Sequence, residues 1–159
     1  MINPDSLNFV DFTKSHIATI HPWFEDEDSN WVEEPTPKFV DYVDSVDSQY
    51  NKCLAYDGDV PVAYVLFGFE DRLGSMALVI NPACRRKGYG LAVVQRIINR
   101  LAASSHCDTF EVSVRPRNQK SLAFFRSMGF VDRDDGPDAE GDLYLTYDLS
   151  AQKKNAPHD

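Results

Sequence analysis

The chain has little of what would mark it as secreted, metal-bound or membrane-bound. Its three cysteines, Cys53, Cys84 and Cys107, are odd in number and lack the spacing of a disulfide framework or a metal site. Reduced thiols in a cytoplasmic protein are the expectation, with no metal. No apolar run approaches the roughly 20 residues that span a bilayer, so no membrane is expected among its partners. The N-terminal Met1-Ile2-Asn3-Pro4-Asp5 has neither a basic region nor an apolar core, and no signal peptide is read there. Repeats and linkers are also missing. The expectation is one domain over residues 1–150, followed by a polar tail, 151–159.

Positive charge is the scarcer sign, with 16 Lys and Arg against 25 Asp and Glu, a net of -9. That balance excludes the usual footprint of a nucleic-acid binder. The charge is uneven, however. Residues 21–48 carry nine acids and one base, and residues 132–142 carry six acids and one base. Residues 85–126 reverse the sign, with nine bases and two acids. An acidic protein with one basic region suits an anionic ligand on one side and a cation on the other.

The basic region opens on Arg85-Arg86-Lys87-Gly88-Tyr89-Gly90. An apolar run, Met76-Ala77-Leu78-Val79-Ile80, and an Asn81-Pro82 turn precede it. After it, Leu91, Val94, Ile98 and Leu101 recur at helical spacing, with Val93 and Ile97 beside them. Strand, glycine-punctuated basic loop and helix form a phosphate-binding arrangement. Glycine lets the backbone approach closely, and the first free N–H groups of the helix meet the anion. Spacing narrows the choice. A Walker loop needs Lys after the second Gly, and here Lys87 precedes Gly88. A dinucleotide fingerprint needs glycine where Val93 stands, and no acidic ribose-binding residue follows about 20 residues on.

The pattern Arg-x-x-Gly-x-Gly resembles the pyrophosphate loop of the GNAT superfamily of acyl-CoA N-acyltransferases. A second stretch is similar to that family's other signature. Val114-Arg115-Pro116-Arg117-Asn118 closes a strand, and Ser121 to Met128 forms a helix ending in Gly129-Phe130. Together the resemblance covers roughly residues 54 to 149.

Taken in order, the chain reads as follows. Phe9 to Phe12 is a short strand, and Thr13 caps a helix from near Lys14 with Ile17 and Ile20 inward. His21 to Trp31 breaks periodicity and mixes acids with Trp23 and Trp31. Thr36-Pro37 starts a helix over residues 38–46, with Phe39, Val43 and Val46 inward. Lys52 to Phe69 is a hairpin turning at Asp57-Gly58-Asp59. A strand ending at Ile80, a helix over 88–104 and a strand over 109–114 follow. A helix over 118–128 and two strands from Phe130 and Leu143 complete the chain. The order βααβββαβαββ is that of the resembling family. It implies an α/β fold with a twisted, mostly antiparallel mixed sheet and helices on both faces.

That resemblance also implies chemistry. The strand ending at Ile80 splays from its neighbour, and the gap admits pantetheine. Ile80 and Pro82 then lie near the pantetheine arm, and Arg85, Arg86, Lys87, Gly88, Tyr89 and Gly90 hold the pyrophosphate of acetyl-CoA, the co-substrate. Asn118 and Ser121 match positions that contact it from the second helix. The Ile80 backbone N–H is the candidate oxyanion donor. One departure stands out, because the family usually has tyrosine, as acid for the leaving thiolate, where this chain has Phe125. Phenylalanine donates no proton, which leaves Tyr144 and Tyr147 on the last strand as candidate acids. No general base is assigned, although Glu70, Asp71 and Glu111 are carboxylates able to act through water.

The favoured function is transfer of the acetyl group to a primary amine of a cationic small molecule, aminoglycoside- or polyamine-like. Trp23, Glu25 and Trp31 are the candidate acceptor contacts. Two alternatives stay open: a non-catalytic acyl-CoA-binding or regulatory module, and an acetyltransferase acting on a protein or peptide amine. Families of this kind commonly form homodimers.

Overall fold

The computed structural model describes residues 1–26, 32–45, 50–104 and 107–150. Its elements in chain order are β1 (Asn8–Asp11), α1 (Ile17–Ile20), α2 (Pro37–Ser45), β2 (Tyr50–Asp57), β3 (Val60–Glu70) and β4 (Leu73–Ile80). They continue with α3 (Tyr89–Ala103), β5 (Thr109–Val114), α4 (Gln119–Ser127), β6 (Val131–Asp132) and β7 (Leu143–Asp148). This is the expected order of strands and helices. Seven strands hydrogen-bond in the sequence β1-β2-β3-β4-β5-β7-β6. The β4–β5 pair is parallel, while β1–β2, β2–β3, β5–β7 and β6–β7 are antiparallel. The mixed, mostly antiparallel sheet is therefore present.

The chain forms two compact units, one of Met1–Gly68 with Met76–Ile97 and the other of Phe69–Ser75 with Ile98–Asp159. In the first, Phe12, Ile20, Trp23, Val40, Leu54, Tyr64 and Val79 form the core. Leu54 and Ala55 in β2, and Val62, Ala63, Tyr64 and Val65 in β3, are all buried, so both faces of these strands are covered there. Thr36 caps α2 by accepting from the Phe39 N–H at 3.1 Å, and Val40 and Val43 face inward. The expected inward Val46 lies outside the described residues. Lys52 is 2% exposed, with Nζ donating to Phe12 O at 2.7 Å and pairing with Asp11 at 3.1 Å and Asp44 at 2.8 Å. Burial of that ammonium is tolerable because carbonyl and carboxylates together replace its water.

In the second unit the core is aromatic. Phe125 and Phe130 meet edge to face at 5.2 Å, and Phe110 and Phe130 at 5.6 Å. Gly74 on β4 is required by a close approach: a Cβ there would lie 2.9 Å from Cys107 Sγ.

Three expectations need correction. The first helix is short, a single α turn flanked by 3-10 turns over Lys14–His16 and His21–Glu25. Pro22 limits it, because proline removes a backbone donor. Helix α3 starts at Tyr89, since Gly88 has φ 91° and cannot join a right-handed helix. Leu91 was expected on the apolar stripe, yet it is exposed. It stands in the open first turn, whereas Val93, Val94, Ile97, Ile98 and Leu101 are buried further along.

Candidate functional site

The basic loop in the first unit begins where β4 ends. Asn81 makes the corner. Its N–H donates to Val62 O at 2.9 Å, and its side-chain amide donates to Pro61 O at 2.9 Å. Its Oδ1 accepts from the Ala83 N–H at 3.1 Å, so Asn81 caps the Pro82–Cys84 turn. An Asn-Pro pair after a strand is itself a turn-start signature. Sequence reasoning noted the turn and missed the residue that anchors it.

Beyond that turn the backbone twice enters the left-handed region, at Arg86 (φ 63°) and Gly88 (φ 91°). Left-handed residues interleaved in a loop are how backbone N–H groups are turned to face an anion. A Cβ built on Gly88 would meet nothing within 4 Å, so that side of the loop is open. The first α-helical bond of α3 runs from Ala92 N–H to Gly88 O at 3.2 Å. The amides of Tyr89, Gly90 and Leu91 precede it and have no partner inside the helix. A helix of 15 residues brings the positive end of its dipole to the same spot. Arg86 and Lys87 are exposed beside it. Left-handed backbone, an open glycine, helix amides without an intrahelical partner and exposed cations together fit a pyrophosphate.

Two carboxylates hold this loop from elsewhere in the unit. Arg85 Nη1 lies 2.6 Å from Asp26 Oδ1. Tyr89 donates its hydroxyl to Asp57 Oδ2 at 2.6 Å, and that bond raises the Tyr89 pKa. Neither carboxylate carried a sequence signal, because each is more than 30 residues from its partner.

The acidic segment before α2 is partly built around His21. Its Nδ1 is 2.5 Å from Glu34 Oε1, and the hydrogen bond and charge of Glu34 raise the His21 pKa. Glu25 is exposed and adds to that shift. Trp23 calls for a correction. At 6% exposed it belongs to the core with Phe12 and Ile20, so it is a packing residue and not an open platform for an acceptor. Trp31, the other expected stacking partner, lies outside the described residues.

The remaining expected residues belong to the second unit. Asn118 caps α4, its Oδ1 accepting from the Ser121 N–H at 3.3 Å. Phe125 is 7% exposed, with its ring against Phe124 and Phe130. Tyr144 donates its hydroxyl to Asp138 Oδ2 at 2.7 Å, and the carboxylate pushes its pKa up to about 12. The same bond is the leading cause of a lowered Asp138 pKa. The Tyr147 ring packs against Phe130 at a tilt, with centroids 5.3 Å apart. Glu111, read from sequence as a possible water-linked carboxylate, is 9% exposed. Its Oε2 accepts from Arg133 at 2.9 Å, while that guanidinium lies over the Tyr144 ring at 5.0 Å.

Residues 17–130 match the family described as Acetyltransferase (GNAT) family. The chain is 30% identical over 138 residues to a Bacillus subtilis (strain 168) protein described as the uncharacterized N-acetyltransferase YfmK, covering 81% of this chain and 88% of that one. The protein belongs to the GNAT acetyltransferase family. Solved structures share the fold at low identity. One is AAC(6')-Ib in complex with paromomycin and acetyl-CoA, with a TM-score of 0.76, 17% identity, and coverage of 98% of this chain and 100% of that one. Another is the Vibrio cholerae spermidine/spermine N-acetyltransferase SpeG, with a TM-score of 0.72, 15% identity, and coverage of 97% and 99%.

Proposed function

We propose that this acetyltransferase moves the acetyl group of acetyl-CoA to a primary amine of a small cationic molecule. The observation that carries the co-substrate is the loop from Arg85 to Gly90, with its left-handed backbone, its open Gly88 and the helix amides that precede the first intrahelical bond. Arg85 to Gly90 hold the pyrophosphate, and Ile80 and Pro82 line the pantetheine arm. Bound acetyl-CoA supplies the thioester. Amine attack on its carbonyl forms the C–N bond and breaks the C–S bond, and the Ile80 N–H faces the oxygen that gains charge. A free alkylamine has a pKa near ~10.4, so a proton must leave before attack.

The acceptor class rests on charge. Residues 21–48 and 132–142 are the two most acidic stretches of the chain, and such stretches attract a cation before contact. Structures of the same fold solved with an aminoglycoside, and those of spermidine acetyltransferases, support this class.

The test is thiol release from acetyl-CoA across spermidine, an aminoglycoside, a basic peptide and a neutral amine. Turnover is expected with the small polycations, with kcat/KM falling as salt rises through ~0.1 M. A preference for the neutral amine, insensitive to salt, would refute the acceptor assignment.

A further inference from the structure

The ion pair between Asp26 and Arg85 joins stretches of opposite charge that lie 59 residues apart within the first unit. Asp26 is placed from the core: its N–H bonds back to Trp23 O at 3.4 Å, and the Trp23 ring is buried. Arg85 is placed from the loop: its N–H bonds to Pro82 O at 3.5 Å, closing the turn after β4. Their side chains are 28% and 36% exposed, for Arg85 and Asp26 respectively. A pair this sheltered is screened less than one in open water. A carboxylate here opposes an anion in the loop in two ways, by repulsion and by occupying a guanidinium donor.

We propose that Asp26 is an internal counter-anion that competes with the pyrophosphate of acetyl-CoA for Arg85, and thereby couples co-substrate binding to capture of the cationic amine. The inference rests on the reading of the loop given above. When pyrophosphate engages Arg85, Asp26 loses part of its compensation and its charge becomes available to a cation. Linkage makes the effect reciprocal, so a cation at Asp26 releases Arg85 for the anion. The backbone donors of Tyr89, Gly90 and Leu91 serve the anion either way. Asp26 thus tunes affinity and binding order and is a positioning residue.

Calorimetric titration with CoA tests this on wild type, Asp26→Asn, Arg85→Ala and the double variant, each with and without spermine as probe cation. Asp26→Asn is expected to tighten CoA binding about two- to five-fold, the range of a partly exposed ion pair. Arg85→Ala should weaken CoA binding and make Asp26→Asn silent, and Asp26→Glu should restore the wild-type affinity. Spermine should tighten CoA binding in wild type and not in Asp26→Asn. Asp26→Ser, expected to behave as Asp26→Asn, guards against a folding effect particular to one variant. Equal or weaker CoA binding by both neutral variants would overturn the proposal. So would tightening that persists in the Arg85→Ala background, since that marks a general charge effect. Failure of wild type to bind CoA would overturn the loop assignment and the coupling together; normal wild-type binding with an unchanged Asp26→Asn overturns the coupling alone.

Discussion

The hydroxyl of Tyr89 reaches across 32 residues to Asp57, its oxygen 2.6 Å from Oδ2. This bond ties the first residue of α3 to the end of β2, and so steadies the start of the helix whose amides face the loop. Tyr89→Phe and Asp57→Asn should each lower the thermal midpoint slightly. The double variant should fall no further than the lower single, because both remove one interaction. Additive losses in a thermal melt would show that the two side chains act separately.

Gly88 has φ 91°, where a β-branched residue is strained, and its missing Cβ faces open space. Gly88→Val should cost about 1–2 kcal/mol of stability. It should also weaken CoA binding, by about ten-fold or more, because charge-assisted hydrogen bonds to backbone donors are lost. Arg86→Ala removes one exposed, screened charge and should weaken CoA binding less. Calorimetric titration ranks the two variants.

Phe125 and Tyr144 bear on the leaving thiolate. Phe125 is buried against Phe124 and Phe130, so Phe125→Tyr introduces a hydroxyl into an aromatic core. It should lose about 1–3 kcal/mol where that hydroxyl finds no partner, read by chemical denaturation. Tyr144 keeps its proton in a hydrogen bond donated to Asp138, and a pKa pushed up to about 12 makes it a reluctant acid. Tyr144→Phe should therefore leave kcat nearly unchanged. A large fall in kcat with unaltered CoA affinity would assign it the acid role after all. Asp138→Asn should bring the Tyr144 titration down toward ~10.

His21 titrates above its ordinary value of about 6.5 because Glu34, and more weakly Glu25, favour the imidazolium. A raised folded-state pKa means the pair's stabilisation is complete below about 6.5 and is lost as pH rises through the folded-state value. NMR titration of the His21 ring should show the raised midpoint in wild type and a lower one in Glu34→Gln. An identical midpoint in the two proteins would mean the His21–Glu34 contact is absent in solution.

The sequence by itself determined the element order and the loop. Apolar alternation in β5, the helical stripe of α3, and the glycine at φ 91° are local consequences of periodicity and backbone sterics. The Arg-x-x-Gly-x-Gly pattern was legible for the same reason, since an anion loop is made by consecutive residues. Only the tertiary structure decided which side chains hold one another across long separations. Asp26 on Arg85, Asp57 on Tyr89 and Glu111 on Arg133 are acids that sequence could count but not pair. Trp23 went to the core because the 3-10 turn at His21–Glu25 ended α1 and turned its ring toward Phe12 and Ile20. Leu91 stayed out because helical spacing sets a direction around an axis, whereas burial also depends on whether another element covers that turn.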